Sequence, residues 1–239
     1  PATTSVMVRP SPTATINGTT AVCMNSTTPN ITFTNPQTLP ITITYNINAG
    51  AQSTINVDAN TSATLSVSTT AAGTFNYNLV SVAYQTGPTC QNAVSGTATV
   101  TVNPLPAATL TSSDADNVFC SGTSITFTAG GGTDYNFLVG GVTVQDGPSA
   151  TYTTTSLTNG QIVSAIVTSS NGCLASSTQI QNIVNPLPGF IINPSPACST
   201  DLTSYSFGVT VVGSGTVTST YGTVINTGGN NWTITGIPS

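Results

Sequence analysis

Three observations predict an all-β chain of tandem sandwich domains arranged as an elongated rod. A proline-bearing pentapeptide recurs along the 239 residues, as VRPSP at 8–12, VNPLP at 102–106 and VNPLP again at 184–188. Between these seams lie short β-branched and aromatic runs with period-two alternation, separated by Gly, Asn, Asp and Pro, and helical periodicity is convincing nowhere. The seams start 94 (102 − 8) and 82 (184 − 102) residues apart, which is the size of an immunoglobulin-like sandwich and too long for a solenoid repeat. The expected domains are residues 1–101, 102–183 and 184–239, the last incomplete at its C-terminal end.

The landmarks inside each copy follow one order. A cysteine comes first, Cys23, Cys120 or Cys198, and then a strand: NITFT at 30–34, SITFT at 124–128, SYSFG at 204–208. Bulky residues two positions apart, Ile31/Phe33, Ile125/Phe127 and Tyr205/Phe207, fall on one face of each strand. The second copy continues through DYNFLVGG, VTVQDG and ATYTTTSL, short strands punctuated by turn residues. LVSVAYQTGPTC at 79–90 then aligns without gaps on IVSAIVTSSNGC at 162–173, a strand and Gly-containing turn leading to a last strand in each of the first two copies. The third copy stops at GIPS with no counterpart of that hairpin, so either further polypeptide or a strand from elsewhere is expected to complete it. Its NWTITGI run alternates as a strand, which assigns Trp232 to a core. At the seams, the fixed φ of Pro10, Pro12, Pro104, Pro106, Pro186 and Pro188 predicts stiff, extended linkers, the source of the rod expectation.

Composition narrows the function classes. Charged residues make up 3%, namely Arg9 and six aspartates, for a net charge of −5 with no Lys, Glu or His. One cation cannot neutralise a run of phosphates, so nucleic acid is not an expected partner. No apolar run approaches the roughly 18 residues of a membrane-spanning helix, so this segment is not expected to insert. Without His, Lys or Glu the usual general bases and Schiff-base amines are missing, so neither an enzyme nor a cofactor is expected. The acidic DADN cluster offers Asp114, Asp116 and Asn117 as weak calcium candidates, and the same letters read equally as an Asx-rich turn. The first and third copies have no matching acids, so no metal is expected.

Five cysteines, Cys23, Cys90, Cys120, Cys173 and Cys198, with no C-x-x-C spacing and no histidine, point to disulfides outside the cell. Two pairings are open. One joins Cys23 to Cys90 and Cys120 to Cys173 within repeats. The other rests on the five strands counted between Cys120 and Cys173, which put those two at opposite poles; it joins Cys23 to Cys173 and leaves Cys120 and Cys198 for later repeats.

With these landmarks in place, VFCSGTSITFTAGGG at 118–132, TYTTTSLTNGQIVSAIVTSSNGC at 151–173 and the VNPLP seams resemble the PKD-like or Ig-like repeats of very long surface proteins in Bacteroidota. That class includes gliding-motility adhesins exported by the type IX secretion system. The resemblance implies a β-sandwich, an extracellular cell-surface location and a spacer or adhesive role, and it carries over no catalytic residues. Partners are then further repeats of the same chain or neighbouring copies, with surface or glycan ligands met through other regions. A rival reading makes the chain a subunit of an extracellular polymer whose incomplete last domain accepts a donor strand. Apart from free thiols, no side chain present has a reference pKa between 5 and 8. The thermal unfolding midpoint of the oxidised chain should therefore differ by less than about 2 °C between pH 5 and pH 8; a larger drift in calorimetry would contradict this.

Overall fold

The structure, a computed structural model, describes residues 9–87, 90–193, 196–213 and 215–238. Val8, the first residue of the VRPSP seam, lies outside the described residues. Among the described residues all regular elements are strands, and the sandwiches are immunoglobulin-like. The chain divides into two compact units. The first comprises Pro1–Ala108, Gly131–Asp134 and Ile166–Ser176; the second comprises Thr109–Gly130, Tyr135–Ala165 and Ser177–Ser239.

The first sandwich is built from β1 (Thr15–Asn17), β2 (Thr20–Cys23), β3 (Asn30–Thr34), β4 (Ile41–Ile47), β5 (Gln52–Val57), β6 (Ser62–Ser66), β7 (Gly73–Tyr84), β8 (Gln91–Ala93) and β9 (Thr97–Asn103). One sheet runs β1-β3-β6 and the other β2-β9-β7-β4-β5, with β8 also on β7. β1 and β2 thus belong to different sheets, and the switch turns at Gly18, whose φ of +118° and 2.5 Å approach of a notional Cβ to the Asn30 carbonyl exclude a side chain. β2 lies parallel to β9, whereas the other pairs are antiparallel. Alternation decides which faces meet. Ile31 and Phe33 of β3, Ile41 and Ile43 of β4, and Val100 of β9 are fully buried, and the Phe33 and Tyr45 rings approach to 4.9 Å across the two sheets.

β10 (Thr109–Ser112), β11 (Val118–Cys120), β12 (Ile125–Gly130), β13 (Asp134–Val139), β14 (Val142–Gly147), β15 (Thr151–Thr154), β16 (Ile162–Thr168), β17 (Leu174–Ser176), β18 (Ile180–Gln181) and β19 (Ile183–Asn185) repeat the plan. The sheets are β10-β12-β15 and β14-β13-β16-β17, with β18 also on β16, and β11 pairs in parallel with β19 as β2 does with β9. Phe127 and Phe137 fill the positions of the core, both fully buried. Val102 and Asn103 belong to β9, and Val184 and Asn185 are in β19. VNPLP is therefore half strand and half connector, because its valine fills the core: Val102 is 1% and Val184 7% exposed.

β20 (Gly189–Ile192), β21 (Ala197–Cys198), β22 (Ser204–Val212), β23 (Thr223–Gly228) and β24 (Asn231–Pro238) form a single sheet ordered β20-β22-β24-β23, with β21 also on β22. The pairing of β22 with β24 shifts register between Tyr205 and Phe207, and no second sheet lies among the strands described after β20. Trp232 is half-buried and paired with Val209 on the apolar side.

Asn35 stitches the first sandwich internally. It is 1% exposed; its amide donates to the carbonyls of Leu39 and Asp58 at 2.9 Å and of Val57 at 3.2 Å, while its Oδ1 accepts from Gln37 N–H at 2.8 Å. Replacing it strands several buried polar groups at once. Asn35→Ala should lower the stability of the first sandwich by about 2–4 kcal/mol, and Asn35→Asp, which cannot donate to those carbonyls, by at least as much. Denaturant titration checks this; a change within about 0.5 kcal/mol would mean that Asn35 is dispensable.

Candidate functional site

The functional residues singled out by the sequence are the acids at 114–117, the cysteines and the seam prolines. Among the described residues no group of three or more His, Cys, Asp and Glu side chains comes together as a metal site. Asp114 and Asp116 lie in the turn between β10 and β11, and each points an Oδ1 at the same donor, Val118 N–H, at 3.1 and 3.2 Å. Asn117 sits there in the left-handed region (φ 57°), and its carbonyl accepts from Ile183 N–H at 2.9 Å. These are the bonds of an Asx turn that starts β11. Asp201 makes a similar turn before β22. Hydrogen bonds from the Ser199 hydroxyl and from Thr203 hold its carboxyl at about 2, below the usual carboxylate range.

The cysteines form a joint. Cys23 ends β2 opposite Asn103, the residue that leads into Pro104, and Met24 N–H donates to the Asn103 carbonyl at 2.8 Å. Its Sγ is bonded to that of Cys173, with the Cα atoms 5.6 Å apart, within the range a disulfide spans. Cys173 ends the turn between β16 and β17 and is fully buried; its N–H donates to Ser169 Oγ at 3.1 Å, and its carbonyl accepts from Ser169 N–H at 2.9 Å. The bridge therefore links residues of the first and second sequence copies, 150 positions apart, and both ends lie in the first compact unit. Cys120 repeats the local setting of Cys23: it faces Asn185 on the parallel strand, and Ser121 N–H reaches the Asn185 carbonyl at 2.8 Å. Cys90, Cys120 and Cys198 are exposed free thiols.

The seam beside this bridge is seated on bare backbone. Beyond Pro104 and Pro106, the Ala107 carbonyl lies 2.1 Å from where a Cβ on Gly131 would stand, and the next glycine, Gly132, has the Thr168 carbonyl at 2.4 Å from its notional Cβ. Two of the glycines in TAGGG are thus required by close approach, and Gly131 also by its φ of +97°. The seam at Pro10 and Pro12 is pinned differently. The Tyr84 hydroxyl donates to the Pro10 carbonyl at 3.2 Å, Asn92 Nδ2 to that of Pro12 at 3.1 Å, and Arg9 to the Thr86 carbonyl at 2.8 Å. Sequence reasoning missed these pins. The available signal was Tyr84 itself, which stands where the aligned second copy has Val167. Pro186 and Pro188 follow β19 and lead into β20.

No protein-family model matches the chain, and no curated protein matches it in sequence. Among solved structures it is similar to a Ca2+-stabilised adhesin with which an Antarctic bacterium binds ice (16% identity, 85% of this chain and 58% of that one, TM-score 0.47). It is also similar to a marsupial T cell receptor (13% identity, 93% and 91% of the two chains, TM-score 0.46) and to fibronectin(III)-like modules of Clostridium thermocellum CbhA (16% identity, 72% and 93%, TM-score 0.35). These are likenesses of fold.

Non-reducing peptide mapping should recover Cys23 joined to Cys173, and recovery of a Cys120–Cys173 peptide instead would contradict the joint. Because the bridge closes a loop of 150 positions, Cys23→Ser should cost about 3–5 kcal/mol of unfolding free energy by the loop-entropy relation.

Proposed function

We propose that this chain is a run of non-catalytic spacer and adhesive repeats belonging to a long extracellular or cell-surface protein. The observation that carries the reading is the Cys23–Cys173 bridge, which ties consecutive sequence copies together beside a proline seam. A catalytic or ligand-binding domain has no need of such a tie, whereas a repeat array under tension gains from it, since the bridged segment cannot be drawn out. A disulfide also suits an oxidising compartment. The near absence of charge leaves few ion pairs for salt to screen, which fits exposure to variable media.

The finer assignment is a repeat region of the PKD-like, gliding-motility adhesin type, exported by type IX secretion. It rests on the VNPLP seams and the 118–132 and 151–173 stretches described above. In this assignment the domains are residues 1–101, 102–183 and 184–239, arranged as a rod, and attachment to surfaces or glycans falls to other regions of the parent protein.

Antibodies raised against the folded chain should label intact, unpermeabilised source cells; label appearing only after permeabilisation would sink the surface assignment. Under single-molecule pulling from the two termini, the oxidised chain should withhold the segment between residues 23 and 173. Reduction should then release about 500 Å of additional contour length, from 150 positions at roughly 3.4 Å each. Equal extension before and after reduction would show that the bridge carries no tension.

A further inference from the structure

Three asparagines of the chain precede glycine: Asn17, Asn159 and Asn171. In such a pair the glycine nitrogen, unhindered by a side chain, attacks the asparagine Cγ. The bond from Cγ to the side-chain nitrogen breaks, ammonia leaves, and a succinimide ring joins the two residues. Water then opens the ring at either carbonyl, giving aspartate or isoaspartate, each with a new negative charge. Neither an enzyme nor a redox partner is needed. Ring closure requires the asparagine ψ to swing to negative values, so the rate depends on what fixes that dihedral and the two reacting groups.

The fold treats the three sites differently. Asn17 ends β1 and is paired with Thr32 of β3, which holds its ψ near the extended value of about +135°. Gly18 is also closely packed, with the Asn30 carbonyl 2.5 Å from its notional Cβ. Asn159 is tied at both reacting groups: its Oδ1 accepts from Val184 N–H at 3.1 Å, and Gly160 N–H donates to the Asn182 carbonyl at 2.9 Å. Asn171 is exposed, and among the described residues nothing hydrogen-bonds to its side chain. It lies in the loop between β16 and β17. There Gly172 N–H donates to the Ser169 carbonyl and Ser169 N–H to the Cys173 carbonyl, each at 2.9 Å, with Gly172 left-handed at φ 77°. These bonds describe a type I turn closed by a glycine bulge. Asn171 is its third residue, a position whose ψ of about 0° lies part-way from the strand value to the ring-forming one. Only the Gly172–Ser169 bond, on an exposed loop, has to open.

We infer that Asn171 is a site of spontaneous modification, the first of these asparagines to become aspartate or isoaspartate, and that isoaspartate there loosens the hold on Cys173. Isoaspartate routes the main chain through the former side chain, adding one carbon between Ser169 and Cys173. The loop is closed by Ser169 N–H on the Cys173 carbonyl and by Cys173 N–H on Ser169 Oγ at 3.1 Å, and the longer main chain cannot keep both in register. Cys173 is fully buried in the unmodified protein, so loosening this loop opens its sulfur to external thiols. The inference is independent of the spacer reading: it concerns the chemistry of one loop.

The test ages the oxidised 239-residue chain in mildly alkaline buffer at physiological temperature, with the exposed thiols of Cys90, Cys120 and Cys198 alkylated. Peptide mass spectrometry with fragmentation places each one-dalton gain. Asn171 should convert at least about tenfold faster than Asn17 or Asn159. In urea after reduction the three should convert at similar rates, because the preference belongs to the fold. Equal rates in the folded chain, or faster conversion at Asn17 or Asn159, would overturn the proposal; so would an Asn171 that stays intact while the urea sample converts. The aged chain should also lose the Cys23–Cys173 bridge to dithiothreitol at least about threefold faster than the fresh chain. Asn171→Gln, whose longer side chain closes a ring far more slowly, should show no such change on ageing. Freshly prepared Asn171→Asp carries the charge without the extra carbon and should be reduced at the fresh rate. An aged chain reduced no faster than the fresh one, or an Asn171→Gln chain that changes equally on ageing, would overturn the effect on Cys173.

Discussion

A strand whose side chains alternate has one apolar side, and that side has to be kept from water. The rest of the structure follows from this requirement. In the first two copies it is met by a second sheet: Phe33 meets Tyr45 across the gap at 4.9 Å, and Phe127 and Phe137 both lie near Tyr152, at 6.5 and 5.7 Å. The covering sheet combines strands that follow early, β4 in the first copy and β13 in the second, with the later β7 and β16 that contain parts of the 79–90 and 162–173 stretches. In the third copy the described strands form one sheet, on which Val209, Val211 and Ile234 are buried and Phe207 is half-buried. One physical rule thus accounts for both sandwiches.

Because ionic groups are nearly absent, polar cohesion is provided by neutral side chains. Asn35 holds a turn of the first sandwich, Asn48 reaches both the carbonyl of Thr74 and the amide of Asn76, and Thr97 and Thr99 bond to Asn78 and Asn76 on the neighbouring strand. These bonds are short-ranged and directional, and each contributes roughly 1 kcal/mol when both partners are present. They fix register and turn geometry and exert little long-range electrostatic force.

The strands were legible because period-two alternation is a local property: NITFT and SITFT were found as β3 and β12 to within one or two residues. The repeat of VNPLP marked where copies meet, but not that its valine belongs to a core, since a valine before proline reads equally well as linker. Two cysteine pairings stayed open in the sequence because connectivity depends on which strand ends come together, a non-local matter that strand counting constrains and does not fix. The pins on Pro10 and Pro12 were illegible for a related reason. They join residues 74 and 80 positions apart through backbone carbonyls, which leave no trace in residue type at the accepting end.

The bridge between Cys23 and Cys173 closes a covalent ring through the polypeptide. A ring has two routes between the points where the rest of the chain attaches, so one backbone scission anywhere between those cysteines leaves the termini still connected. Two cuts within the ring would release a piece and still leave its attachment points joined through sulfur. Severing the N-terminal from the C-terminal side therefore requires either a cut outside the ring or a scission together with chemical reduction. Damage tolerance of this kind does not depend on how stably either sandwich is folded.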